Sequence, residues 1–158
     1  PGEECLAKGM PDELVLIVPP GHRWSRPRGI APDRLSPERL LIREEGSASR
    51  QVTERALQHV GARIGRTLEL GHTEAIKQAV MAGLGVAFVS SHAVRGERRA
   101  GQLFALRLRG HRKRRHFHVI HNDARTLGAS ARAFRGLLED AGSSGRAAAS
   151  FGKAPASR

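Results

Sequence analysis

Five apolar residues in a row, Leu14, Val15, Leu16, Ile17 and Val18, are followed at once by Pro19, Pro20 and Gly21. So short and unbroken a run predicts a strand buried on both faces, and the prolines end it. From 22 to 37 the chain is rich in Pro, Arg and Gly, with only Trp24, Ile30 and Leu35 as apolar anchors. That composition predicts a loop with at most one helical turn. Leu40, Leu41 and Ile42 predict a second short strand.

Beyond Gly46-Ser47-Ala48-Ser49, apolar residues recur at 52, 56, 57 and 60 with Gly61 behind them, which predicts a helix of about three turns. Residues 67 to 70 then read as a strand leading into Gly71-His72-Thr73. Ala75, Ile76, Ala79 and Val80 lie on one stripe of a following helix that Gly83 ends. A further buried strand follows at 86 to 89, and Ser90-Ser91 is placed to cap a short helix beginning near His92. Alternation predicts two more strands, at 103 to 108 and 116 to 121, and a last helix runs from about 130 to 139. After 141 the chain is Gly, Ser, Ala, Lys and Arg with one Phe, which predicts a disordered tail. Strand, turn, helix, Gly, strand, repeated, is the signature of βαβ units around a mainly parallel sheet, so the fold class is α/β.

Composition narrows the possible functions. At 158 residues and 39 % apolar, the chain suits one domain or two small lobes, and a chain of this size removes roughly 68 to 70 % of its unfolded surface from water. Cys5 is the only cysteine, which excludes an internal disulfide and any CxxC redox or zinc pattern. No apolar run approaches the roughly 18 residues of a membrane-spanning helix. The chain begins PGEECLAKGM, with neither an initiator Met nor a basic-then-apolar leader, so a fragment or a processed chain is expected. The formal charge is +12, and 23 of the 27 basic residues are Arg. Residues 95 to 115 are the most basic stretch, a solvated basic face or a phosphate-binding patch; aromatics make up only 4 % and Tyr is absent, so base-stacking platforms are scarce and the solvated face is favoured.

Two segments bring a polar loop from a strand to the start of a helix: Arg43 to Arg50, REEGSASR, and Gly71 to Glu74, GHTE. The first turn of a helix has unpaired N–H groups and about half a positive charge, to which Ser47, Ser49 and Thr73 add hydroxyls and Arg50 adds a full charge. Either loop can hold an anion, or Ser49 and Thr73 can simply cap their own helices. Glu74, in the first turn of the second helix, would partly compete with an anionic ligand. Ser90-Ser91-His92 sets a hydroxyl beside an imidazole in sequence without a GxSxG elbow, so a hydrolase is disfavoured. His111, His116, His118 and His121 are dense, but no carboxylate or Cys is spaced to complete a metal set. No GxGxxG or GxxxxGK[ST] loop occurs, and no cofactor is expected.

Four ordered blocks, LVLIVPPGHRW at 14 to 24, LLIREEGSASR at 40 to 50, ELGHTEAIKQAVMAGLGVAFVSSHAV at 69 to 94 and RRHFHVIHND at 114 to 123, resemble the effector-binding region of LysR-type transcriptional regulators. The resemblance implies a periplasmic-binding-protein-like (type 2) effector-binding domain with the second lobe complete and the first partial. On this comparison residues 1 to 18 finish the first lobe, 19 to 117 form the second, 118 to 140 cross back, and 141 to 158 trail. It also implies a non-enzymatic cytoplasmic sensor, oligomeric in its full-length form, whose DNA contact lies in a helix-turn-helix outside this chain. A small anionic effector would sit between the lobes, with Ser47, Ser49, Arg50, His72 and Thr73 as the second lobe's contribution. The family often has Thr where Ser49 stands and Pro where Arg23 stands. Two alternatives remain: an extracytoplasmic solute-binding protein of the same fold, and non-specific nucleic-acid binding through 95 to 115.

Overall fold

The computed structural model describes residues 3 to 26, 29 to 110, 115 to 122 and 126 to 143, which divide into two compact units. One unit is formed by 13 to 113 and the other by the two ends of the chain, Pro1–Asp12 with Arg114–Arg158.

The larger unit is built on a six-stranded sheet, in spatial order β3-β7-β2-β6-β4-β5. Its strands are β2 (Leu14–Val18), β3 (Gly29–Ile30), β4 (Arg39–Arg43), β5 (Arg66–Leu70), β6 (Val86–Ser90) and β7 (Phe104–Leu108). Strand β4 runs parallel to both β5 and β6, whereas β2 lies antiparallel to β6 and β7. Every strand but β2 therefore points the same way; the helix α1 (Ala48–His59) crosses over between the parallel neighbours β4 and β5, and α2 (Thr73–Met81) crosses over β4 from β5 to β6.

The apolar run of β2 explains where the core sits. Its side chains alternate: Leu16 and Val18 join one cluster with Trp24, Leu40, Leu57, Val86 and Leu106, while Val15 and Ile17 join a second with Leu41, Ile76, Val80, Ala87 and Leu103. The first cluster takes the inner face of α1, where Thr53, Ala56 and Leu57 are buried at helical spacing, and the second takes α2. Fully burying a side chain such as Leu57 or Ile76 contributes about 1.5–3 kcal/mol.

Among its described residues, the loop predicted from 22 to 37 contains one 3-10 turn, Pro32–Leu35, and also the short strand β3, which pairs with Arg107 and Leu108. Two residues carry no legible alternation, so that strand exists only through its tertiary partner. The helix predicted to begin near His92 instead starts at Arg95. Residues 91 to 94 form turns in which the Ser90 hydroxyl accepts the His92 N–H at 3.2 Å, and the helix, α3, runs Arg95–Arg99. Gly85 has a packing role, because a Cβ there would stand 2.4 Å from the Arg39 carbonyl oxygen and 3.1 Å from Leu41 Cδ2.

In the smaller unit β1 (Glu3–Asp12) pairs antiparallel with β8 (Arg115–Asn122), and α4 (Ala129–Ser143) packs on β1. The mixed run EECLAKGMPD has no period of two, so β1 was not readable. Asp12 is buried and accepts from Arg115 Nε at 2.6 Å. The last helix extends to Ser143, past the boundary at 141 from which a tail was expected. The rest of that tail, 144 to 158, and most of the basic run 112 to 115 lie outside the described residues.

Candidate functional site

Two helix openings meet at the carboxyl edge of the larger sheet. Strands β4 and β5 are adjacent, parallel and in register from Arg39↔Arg66 to Arg43↔Leu70, so the loops after them leave the sheet side by side. In α/β sheets this is the edge at which ligands are held. The first loop is a tight turn closed by the Ser47 N–H on the Glu44 carbonyl at 3.2 Å, with Gly46 at φ +85°, a conformation that glycine adopts freely.

Ser47 occupies the cap position of α1 and His72 that of α2, both with extended backbone, and neither side chain caps its helix. Thr73 is the first residue of α2 and Ser49 the second of α1, so neither sits where a capping hydroxyl must be. Both belong to first turns, whose amides have no intrahelical acceptor. Each opening also carries about half a positive charge from its helix.

A residue absent from the sequence-based candidates joins the two openings. Arg43, the last residue of β4, donates from Nη1 to Thr73 Oγ1 at 3.2 Å and forms a two-pronged pair with Glu44, Nε and Nη2 each at 2.6 Å. The Arg43 guanidinium, with help from a backbone amide, holds the Glu44 carboxyl down to about 2. Arg43 was legible only as one charge in REEGSASR. Its reach to Thr73, 30 residues on, comes from the pairing of β4 with β5.

Arg50 faces a different set of partners. Its Nε meets Glu54 at 2.8 Å, and its Nη1 meets Glu69 at 2.7 Å and the Arg43 carbonyl at 3.2 Å. The charge expected to face an anion is thus engaged with two carboxylates and with the backbone at the end of β4. The Ser49 carbonyl accepts the Thr53 hydroxyl at 2.8 Å, a bond within α1.

Lys77 lies one turn into α2 and is buried despite its charge. Its Nζ reaches Glu97 at 2.6 Å, Glu74 at 2.7 Å and the Ala93 carbonyl at 3.2 Å. Burial opposes that charge most strongly, but the hydrogen bonds to Glu74 and Glu97 together outweigh it, and the lysine's pKa is raised. Glu74 is correspondingly lowered, by Lys77 first and by Gln78 second. The competition expected from Glu74 at the opening is therefore met by a cation behind it.

Among the described residues no group of three or more His, Cys, Asp or Glu could hold a metal ion, and no helix is long and apolar enough to cross a membrane. Of the clustered histidines, His116, His118 and His121 belong to β8, in the smaller unit, and His111 lies outside the described residues.

The family described as "LysR substrate binding domain" matches residues 7–143. The chain belongs to this family. It is similar to a RuBisCO operon transcriptional regulator of Allochromatium vinosum, 36% identical over 126 residues that cover 80% of this chain and 42% of that protein. It is also similar to the HTH-type transcriptional regulator CbbR of Xanthobacter flavus, 41% identical over 98 residues, 61% of this chain and 29% of that one. The chain thus spans less than half the length of these relatives. Among solved structures, the Synechocystis PCC6803 CcmR regulatory domain in complex with 2-PG superposes with a TM-score of 0.76 at 25% identity, covering 87% of this chain and 66% of that one. The effector-binding domain of QuiR in complex with shikimate shares the fold at a TM-score of 0.76 and 13% identity, covering 92% and 68%.

Proposed function

We propose that this chain is the effector-sensing part of a LysR-type DNA-binding transcriptional regulator, and that a small anionic metabolite binds where α1 and α2 begin. Ser47, Ser49, Arg50, His72 and Thr73 are its assigned contacts, to which the geometry adds Arg43. One observation carries this reading: two helix openings on adjacent parallel strands, joined by the Arg43–Thr73 hydrogen bond. An anion set there meets first-turn amides, hydroxyls and a guanidinium together, and a charge-assisted bond of that kind is about twice as strong as a neutral one.

The relatives named above are transcriptional regulators, which favours a sensor over a solute-binding protein or an enzyme. In this reading the protein works in the cytoplasm, as an oligomer, and its DNA contact belongs to sequence outside these residues. The effector acts by differential affinity for two states of the regulator. The likeness to the CcmR regulatory domain makes 2-PG the first ligand to try.

Calorimetric titration of the intact protein with 2-PG, inorganic phosphate, shikimate and a panel of organic acids tests the reading. Each of Thr73→Ala and Ser49→Ala is expected to weaken the best anion by about tenfold, the value of one lost hydrogen bond to a charged group. Unchanged binding in both variants would remove the site assignment. Absence of heat with every anion would remove the reading itself.

A further inference from the structure

The first turn of α2 contains a carboxylate, Glu74, beside the amide end that the proposed function gives to an anion. Acidic side chains at such a position are attracted to the open N–H groups and the positive end of the helix dipole. In this structure Glu74 is drawn the other way, up the helix: its Oε2 lies 2.7 Å from Lys77 Nζ and its Oε1 accepts Gln78 Nε2 at 3.0 Å. Lys77 is itself fixed from behind by Glu97 at 2.6 Å and by the Ala93 carbonyl at 3.2 Å, so all three of its donors are used. A surface lysine would hold Glu74 loosely, but this one is only 10% exposed, and the elements supplying its other partners fix its position.

We propose that Lys77 is a positioning residue: it holds the Glu74 carboxylate back along α2, keeping a like charge off the amide end that receives the anion. The inference rests on the proposed function, and it assigns a role in anion recognition to a side chain that does not touch the ligand. Lys77 also ties α2 to the turn before α3 through Ala93 and to α3 itself through Glu97, so the opening is held from two sides.

The test uses the pair Lys77→Met with Glu97→Gln, the second change sparing the fold an unpaired, mostly buried carboxylate. In the parent protein, protonating Glu74 is expected to leave the backbone amide NMR shifts of residues 74 to 76 nearly still. In the double variant those amides should move with Glu74, because the released carboxylate returns to them; still amides there would overturn the proposal. Inorganic phosphate is then titrated calorimetrically. Its affinity should fall about fivefold in the double variant and recover when Glu74→Gln is added, the fivefold being the upper value of one charge at a helix terminus. A loss that Glu74→Gln does not recover shows a purely structural lysine and overturns the proposal while leaving the proposed function standing. No response in the parent protein to phosphate or to any other anion named above overturns both.

Discussion

Removing Arg43 separates binding from stability more cleanly than any other single change at the sheet edge. Arg43→Met keeps much of the side chain's length and deletes three hydrogen bonds, two to Glu44 and one to Thr73. The Arg43 side chain is 24% exposed and that of Glu44 40%, so water screens the pair and solvates the carboxylate left behind. Exposed pairs of this kind contribute about 0–1 kcal/mol, and the variant is expected to lose less than about 1 kcal/mol of stability. Binding should respond more. A hydrogen bond to a charged group is worth about 1.5–3 kcal/mol. The low end applies here, because an incoming anion must first take the guanidinium from Glu44. A loss of about 1.5 kcal/mol is roughly tenfold in Kd. Calorimetry with the anions named above measures the second quantity. Urea unfolding followed by the fluorescence of Trp24, the chain's single tryptophan and fully buried, measures the first. An affinity within threefold of the parent would refute the role of Arg43, as would a stability loss of several kcal/mol large enough to account for the binding change.

Other consequences are equally open to measurement. Gly85→Ala places a Cβ 2.4 Å from a backbone oxygen that cannot swing aside, and should lower stability by about 1–3 kcal/mol; an unchanged urea midpoint would contradict the packing described. Leu57→Ala, in the core under α1, should cost about 2–5 kcal/mol, whereas Leu84→Ala, at a side chain half exposed, should stay within about 0.5 kcal/mol. Glu44 should titrate near 2 by carboxylate NMR and move back toward the ordinary 4.5 in Arg43→Met. Because its native pKa is depressed, whatever stability its pairing contributes is complete above pH 4.5 and is lost as the pH falls through about 2. A Glu44 that titrates at an ordinary value in the parent protein would show that the two-pronged pair does not persist in solution.

Much of the fold was legible because its strongest signals are local. The run at 14 to 18 is a strand buried on both faces since it lies inside the sheet, and the apolar stripes at 52 to 60 and 75 to 80 are helices because each meets one core cluster. What escaped reading depends on partners distant in sequence. Strand β3 is two residues held by β7, some 78 positions on, by the register Gly29↔Arg107. Strand β1 alternates in no readable way and is defined by β8. At the candidate site the loops were legible from their small polar residues at strand-to-helix junctions, but not which charge served which loop. Arg50 looked like the anion's partner and is engaged with Glu54 and Glu69, while Arg43 reaches across to Thr73. Lys77 sits beside Ile76 on a stripe that otherwise reads as core. Only the fold brings Ala93 and Glu97 to it.

The chain's large positive charge therefore says little about how this edge attracts a ligand. Three cations at the edge, Arg43, Arg50 and Lys77, are bonded to five carboxylates, those of Glu44, Glu54, Glu69, Glu74 and Glu97. Three positive charges against five negative ones leave this group net negative by two, so the attraction that remains comes from the first-turn amides and dipoles of α1 and α2. Amides are fixed in direction, whereas a free arginine cluster would accept any anion in many poses. An anion here must fit two openings set by the spacing of β4 and β5, and it must offer enough charge to take Arg43 from Glu44. On the proposed function, selectivity at this edge would follow from the neutralisation of its arginines: the carboxylates would exclude weak anions, and the backbone would set the geometry for strong ones.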